Sequence, residues 1–160
     1  MEIYIVRHAI AEDAPSKGTG DAARALTEEG RQKMKEASAG FAKLEFSIDK
    51  IFSSPLVRAK QTAEILAKAL DNKVEEMEEL SPGYGPDQVC AKLQSLKKAK
   101  SVMVVGHEPN CSLLASFLLE GSSSLEIQFK KGAICRIDGS PARKSGTLIF
   151  HLSPQILREL

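Results

Sequence analysis

Arg7 and His8 stand side by side, directly after the apolar, β-branched run Ile3–Val6. The chain has three histidines, and a second one, His107, also follows such a run, Ser101–Gly106. A third run, Ile48–Phe52, leads into Ser53-Ser54-Pro55, with Arg58 one turn further on. These residue types suit one chemistry. Arginine forks match the oxygens of a phosphoryl group two at a time. A neutral imidazole can attack phosphorus and carry it covalently. Phosphoryl transfer asks mainly for in-line positioning and for stabilisation of charge on the equatorial oxygens, which a second imidazole can supply as a donor. Taken singly, each residue has a plainer reading. A histidine after a strand is often structural, Arg58 on a helix is ordinarily an exposed cation, and His151 sits in a late alternating segment where a structural role is expected. Zinc is not indicated, because His8 and His107 have no third ligand at a familiar spacing.

What lifts the set is the position of its members, all at strand ends. Ile3–Val6 shows little alternation and reads as a strand buried on both faces. Residues 11–24 are a long aperiodic loop. Thr27 then caps a helix whose apolar face carries Met34, Ala37, Phe41 and Leu44. Ile48–Phe52 is a second strand, and Ser54 as N-cap with Pro55 at the first helical position starts a second helix, with Ala59, Ala63, Leu66 and Leu70 inward. Val74–Leu80 is acidic and ambiguous. Val89, Leu93 and Leu96 mark a third helix. Ser101–Gly106 is the clearest buried strand, followed by a helix with Leu114, Phe117 and Leu118 inward. LEIQF (125–129), AICRI (133–137) and TLIFHL (147–152) read as three further strands, the last two antiparallel neighbours.

Strands alternating with helices predict an α/β fold: a three-layer sandwich with a mainly parallel sheet flanked by helices and a C-terminal antiparallel pair. In such sheets, ligands sit beyond the carboxyl ends of the parallel strands. If the three loaded strands are neighbours, two imidazoles and two guanidiniums meet in one crevice, where helix N-termini add N–H donors for an anion.

The chain is 160 residues long, which suggests a single domain over 1–160 that needs no disulfide or metal to fold. Its net charge of +1 argues against nucleic acid as a partner, so any anion site must be built locally. The cysteines Cys90, Cys111 and Cys135 form no C-x-x-C pair and read as buried thiols of a reducing compartment. The apolar run at the N-terminus is too short for a signal segment, and no stretch approaches the ~18 apolar residues of a membrane span. A cytoplasmic location, with no membrane partner, is expected.

Four blocks together resemble one family: IYIVRHA (3–9), RALTEEG (24–30), IFSSPLVRAKQTAEIL (51–66) and VMVVGHEP (102–109). In order and spacing they are similar to the histidine phosphatase (phosphoglycerate-mutase-like) superfamily. The short length and the late LSP (152–154) look most like its SixA-type phosphohistidine phosphatases. The resemblance implies that His8 is the phosphorylated nucleophile. Arg7 and Arg58 would clamp the phosphoryl oxygens, His107 would donate to one of them, and Arg24 would contact substrate. Neither metal nor cofactor is implied.

Two departures carry consequences. The family's R-H-G is R-H-A here, so Ala9 must avoid a backbone conformation open only to glycine. Many members also carry a glutamate general acid in an L-x-E step; if Leu80 aligns with that leucine, the acid's position holds Pro82. Glu79, Glu12 and Asp13 are the possible substitutes. A sugar alkoxide leaves poorly without an acid, whereas a histidyl nitrogen can leave as neutral imidazole. The expected substrate is therefore a phosphohistidine-bearing carrier or phosphorelay protein. Small phosphate esters or anhydrides, and a phosphate- or phosphoprotein-binding module without turnover, are the competing readings.

Overall fold

A computed structural model describes residues 1–160. The chain forms β1 (Glu2–Arg7), α1 (Glu28–Ala42), β2 (Lys50–Ser53), α2 (Val57–Ala69), β3 (Val74–Glu76), α3 (Pro86–Ser95), β4 (Ser101–Gly106), α4 (Asn110–Glu120), β5 (Ile134–Asp138), β6 (Thr147–Leu152) and α5 (Pro154–Glu159). The six strands make one mixed sheet in the order β3-β2-β4-β1-β5-β6. The first four are parallel, while β5 and β6 run antiparallel at one side.

The run of apolar residues in β1 and β4 is explained by helices on both faces of the sheet. Ile3, Ile5, Val102 and Val104 pack against Val89 and Leu93 of α3 and Leu114 and Leu118 of α4. Their alternates Tyr4, Val6, Met103 and Val105 pack against Met34 and Phe41 of α1, Ala63 and Leu66 of α2, and Leu157 of α5. Truncating a side chain such as Leu66, which is fully buried, typically costs about 2–5 kcal/mol. Thr27 caps α1 as expected: its Oγ1 accepts from the Gly30 N–H at 2.9 Å. The unsuspected element is α5, which rests on α1 at Gly40. An added Cβ there would stand 1.7 Å from the Leu157 carbonyl oxygen, so only glycine permits the approach.

Two expectations are corrected. LEIQF (125–129) is not a strand. Three of its successive carbonyls are taken by side chains instead: Ile127 by Ser112 Oγ, Gln128 by His151 Nε2 and Phe129 by Arg7 Nη1. With those acceptors occupied, the segment lies as a strap rather than in a ladder. The second helix begins at Val57, not at Pro55. Ser54 Oγ still accepts a backbone N–H, that of Leu56 at 3.3 Å, but the Ser-Pro pair forms a turn that precedes the helix.

Candidate active site

The register of the sheet makes the site. Arg7 of β1 lies opposite Gly106 of β4, and Ser53 of β2 lies opposite Val105. His8 and His107 are thus the first residues beyond two neighbouring parallel strands, at matched level. The ladder continues one step further, through His8 N–H to Gly106 O at 2.9 Å and Ser54 N–H to Val105 O at 3.0 Å. The two imidazole centroids are 5.3 Å apart. Both rings are buried, at 7% and 3% exposure.

The hydrogen bonds orient both rings and define the tautomer of His8. His8 Nδ1 lies 2.7 Å from the Ala9 carbonyl, which can only accept. The ring proton therefore sits on Nδ1, and Nε2 keeps its lone pair. His107 Nε2 lies 2.9 Å from Ser54 Oγ. That oxygen also accepts from the Leu56 N–H at 3.3 Å, so Ser54 holds the His107 ring in place beside the nucleophile. Around these rings, three buried nitrogens have no protein partner: Arg7 Nε, Arg58 Nε and His107 Nδ1. A nucleophilic lone pair and a set of unmet donors are what an anionic, electrophilic group requires.

Each guanidinium is held from behind. Arg7 Nη1 donates to Phe129 O at 2.7 Å. Arg58, only 5% exposed, is not the solvated cation of its plainer reading. Its Nη1 donates to Asp21 O and its Nη2 to Asp21 Oδ2, both at 2.9 Å. Arg24 meets the same carboxylate, Nη1 to Oδ1 at 2.7 Å, and its Nε donates to Glu12 O. Asp21 is thus a site residue that the sequence reading missed. Its i,i+3 spacing from Arg24 hints at one pair, but nothing local links it to Arg58. The Arg58 bond, followed by that of Arg24, holds its carboxyl below the usual range.

Ala9 meets the condition set by R-H-A. It is absent from the residues with positive φ, so its methyl costs no strain. Its N–H donates to Thr62 Oγ1 at 3.0 Å, and Thr62 Oγ1 donates in turn to Arg58 O, tying the segment of His8 to that of Arg58. Of the three substitute acids, Glu79 lines a small cavity with His107, Glu12 accepts from Ser16 N–H, and Asp13 is exposed. Pro82 is exposed on a turn. His151 meets its structural expectation, with its ring edge-on to Phe129 at 4.6 Å.

Burial lowers the His8 pKa to about 4, with the Arg58 and Arg7 charges adding to the effect. Burial likewise lowers that of His107 to about 3, helped by Arg58 and His8. Both values lie below the ~6.5 of an unfolded chain. The unfolded state therefore binds more protons between these limits, and stability rises with pH across them. The contribution is complete above pH ~6.5 and is lost as pH falls toward 4 and 3. The thermal midpoint should drop on acidification from pH 7 to pH 4, with a shallower slope in His107→Gln. Turnover should persist to about pH 5 rather than fade near 6.5, because the His8 lone pair is still free there. A turnover profile with its acid limb at 6.5 would contradict this arrangement.

A neutral imidazole lone pair in one cluster with a second imidazole and two guanidiniums, at the carboxyl edge of a parallel sheet, suits an α/β enzyme of phosphoryl groups. Residues 3–82, half of the chain, match the family model of the histidine phosphatase superfamily (branch 1), and the chain belongs to that superfamily, as a phosphatase. It is similar to an uncharacterized protein of Picosynechococcus sp., 32% identical over 146 residues, with 89% of this chain and 88% of that one covered. It is also similar to the phosphohistidine phosphatase SixA of Escherichia coli, 28% identical over 158 residues, covering 96% and 94%. A solved structure of the protein histidine phosphatase SixA complexed with tungstate matches it with a TM-score of 0.86 and 27% identity, covering 98% of this chain and 99% of that one.

Proposed function

We propose that the protein, acting as one domain over 1–160, removes phosphate from phosphohistidine on a carrier or phosphorelay protein. In this reading His8 Nε2 attacks phosphorus in line with the bond to the substrate imidazole. The P–N bond to His8 forms as the P–N bond to the substrate breaks. The substrate's other ring nitrogen already carries a proton, so the leaving group departs as neutral imidazole. The guanidiniums of Arg7 and Arg58 and the ring of His107 meet the charge on the transferring oxygens. Water then attacks the phosphoryl group on His8, one of its protons passes to the released phosphate, and the free imidazole returns. Arg24 contacts substrate at the rim.

The observation that carries this reading is the unshared pair on His8 Nε2 in one buried cluster with the His107 ring, 5.3 Å away, and with the Arg7 and Arg58 guanidiniums, whose Nε atoms have no protein partner. The substrate class rests on the L-x-E step: with Leu80 aligned to the family's leucine, Pro82 takes the acid's place, and a histidyl leaving group needs less help from an acid than an alkoxide does. The similarity to SixA supports the same class. The test compares release of phosphate from a phosphohistidine-carrying protein and from p-nitrophenyl phosphate. The reading expects kcat/KM to favour the phosphohistidine protein. Preference for small esters would point to an ester phosphatase, and phosphate binding without either hydrolysis would point to a binding module.

Asp21 acts through Arg58 as a positioning residue, since it holds both terminal nitrogens and Nε is left without a protein partner. Because Asp21 is itself 58% exposed, the pair is worth little by itself. Asp21→Ala should raise KM for p-nitrophenyl phosphate about two- to fivefold with little change in kcat. A lowered KM would instead mean that the carboxylate competes with substrate for the guanidiniums.

A further inference from the structure

The turn Lys130–Gly132 is bolted to the back of the nucleophile's strand. The Gly132 N–H donates to the carbonyls of both Arg7, at 3.0 Å, and His8, at 3.2 Å. Arg7 returns a bond to Ala133 O, and its Nη1 holds Phe129 O on the other side of the lysines. Lys130 and Lys131 therefore stand at a fixed offset from His8 although both are exposed. Beside them opens a cleft of about 370 Å³, with Ala9 and Met34 among its apolar residues, flanked by Lys33, Lys130, Lys131 and Arg158. No carboxylate lines it. Lys33 has a partner in Glu29 and Arg158 in Glu36, but Lys130 and Lys131 enter no ion pair. In a chain of net charge +1 this is a local concentration of positive charge, not a general basicity. The charge of Lys131 also reaches His8, where it is one of those opposing protonation.

We propose that this cleft is the docking surface for acidic side chains that flank the phosphorylated histidine of the substrate protein. The inference rests on the phosphohistidine-protein reading above and specifies what the partner presents. Lys130 and Lys131 meet the carboxylates as unpaired cations, and the apolar floor takes the aliphatic stems of the same side chains. These two lysines steer encounter and fix which residues lie beside the site, while His8, Arg7, Arg58 and His107 handle the phosphoryl group. Because these charges are exposed, the preference is sensitive to salt.

The experiment uses synthetic phosphohistidine peptides that differ only in the flanking residues: glutamates, glutamines or lysines. Phosphate release by the wild-type protein at low salt should give kcat/KM about fivefold higher for the glutamate peptide than for the glutamine peptide. The ratio should shrink toward one at 0.5 M salt. In Lys130→Glu/Lys131→Glu the order should invert in favour of the lysine peptide, an outcome that a merely damaged fold does not produce. Each ratio is taken within one protein, so a change in overall activity does not enter it. Equal turnover of all three peptides by the wild type would overturn the docking surface and leave the phosphohistidine reading intact. So would a preference for glutamate that survives the double substitution. Failure to hydrolyse any of the three would overturn that reading and the docking surface with it.

Discussion

His8→Ala should reduce phosphate release from any substrate by at least about 10³-fold, because the group that forms the covalent bond is gone. The fold should survive. The imidazole makes one side-chain hydrogen bond, to the Ala9 carbonyl, and its loss costs on the order of 1–2 kcal/mol. For a chain of 160 residues that is a fall of a few degrees in thermal midpoint. Arg7, Arg58 and His107 keep their unmet donors in the variant, so vanadate should still bind within about tenfold of the wild-type affinity. Retention of more than a tenth of the activity would remove His8 from its role.

Arg58→Ala should lower kcat/KM by about 10²–10³-fold, the usual consequence of removing one preorganised donor from a developing anion. Here the loss is sharpened by burial: the guanidinium is 5% exposed, so water cannot readily replace it. Vanadate affinity should fall in parallel, which separates this variant from His8→Ala. Arg58→Lys should recover only part of the loss. An ammonium restores the charge, but its single nitrogen cannot reproduce the two-pronged hold on Asp21 that fixes the guanidinium plane. If the Ala variant lost its thermal transition but kept its specific activity, Arg58 would be a structural residue only.

The site was largely legible in the sequence because its main members are the residues that end parallel strands. A buried strand announces itself by composition, and the first polar residue after it is therefore located. Register did the rest: Arg7 opposite Gly106 brings His8 and His107 level, and no sequence pattern could state that pairing. What escaped were contacts made across the fold. Asp21 lies in an aperiodic loop and reaches Arg58 over 37 positions. Ser54 looked like a helix cap, and its hydroxyl also bonds the ring of a histidine 53 positions away. The alternation of LEIQF (125–129) misled for a related reason. Period two shows which side chains face inward, but not whether the carbonyls find a strand or the side chains of Ser112, His151 and Arg7. The last helix, Pro154–Glu159, is too short to show a helical period and depends on Gly40 for its seat.

The most direct measurement is rapid quenching of turnover with labelled phosphoryl substrate, followed by mapping of the label on the protein. The account predicts one acid-labile, alkali-stable phosphoryl group on His8, formed and lost at rates consistent with turnover and absent from His8→Ala. Label on another residue, or steady turnover with no trapped phosphoryl group under conditions where hydrolysis of the intermediate is slowed, would contradict it.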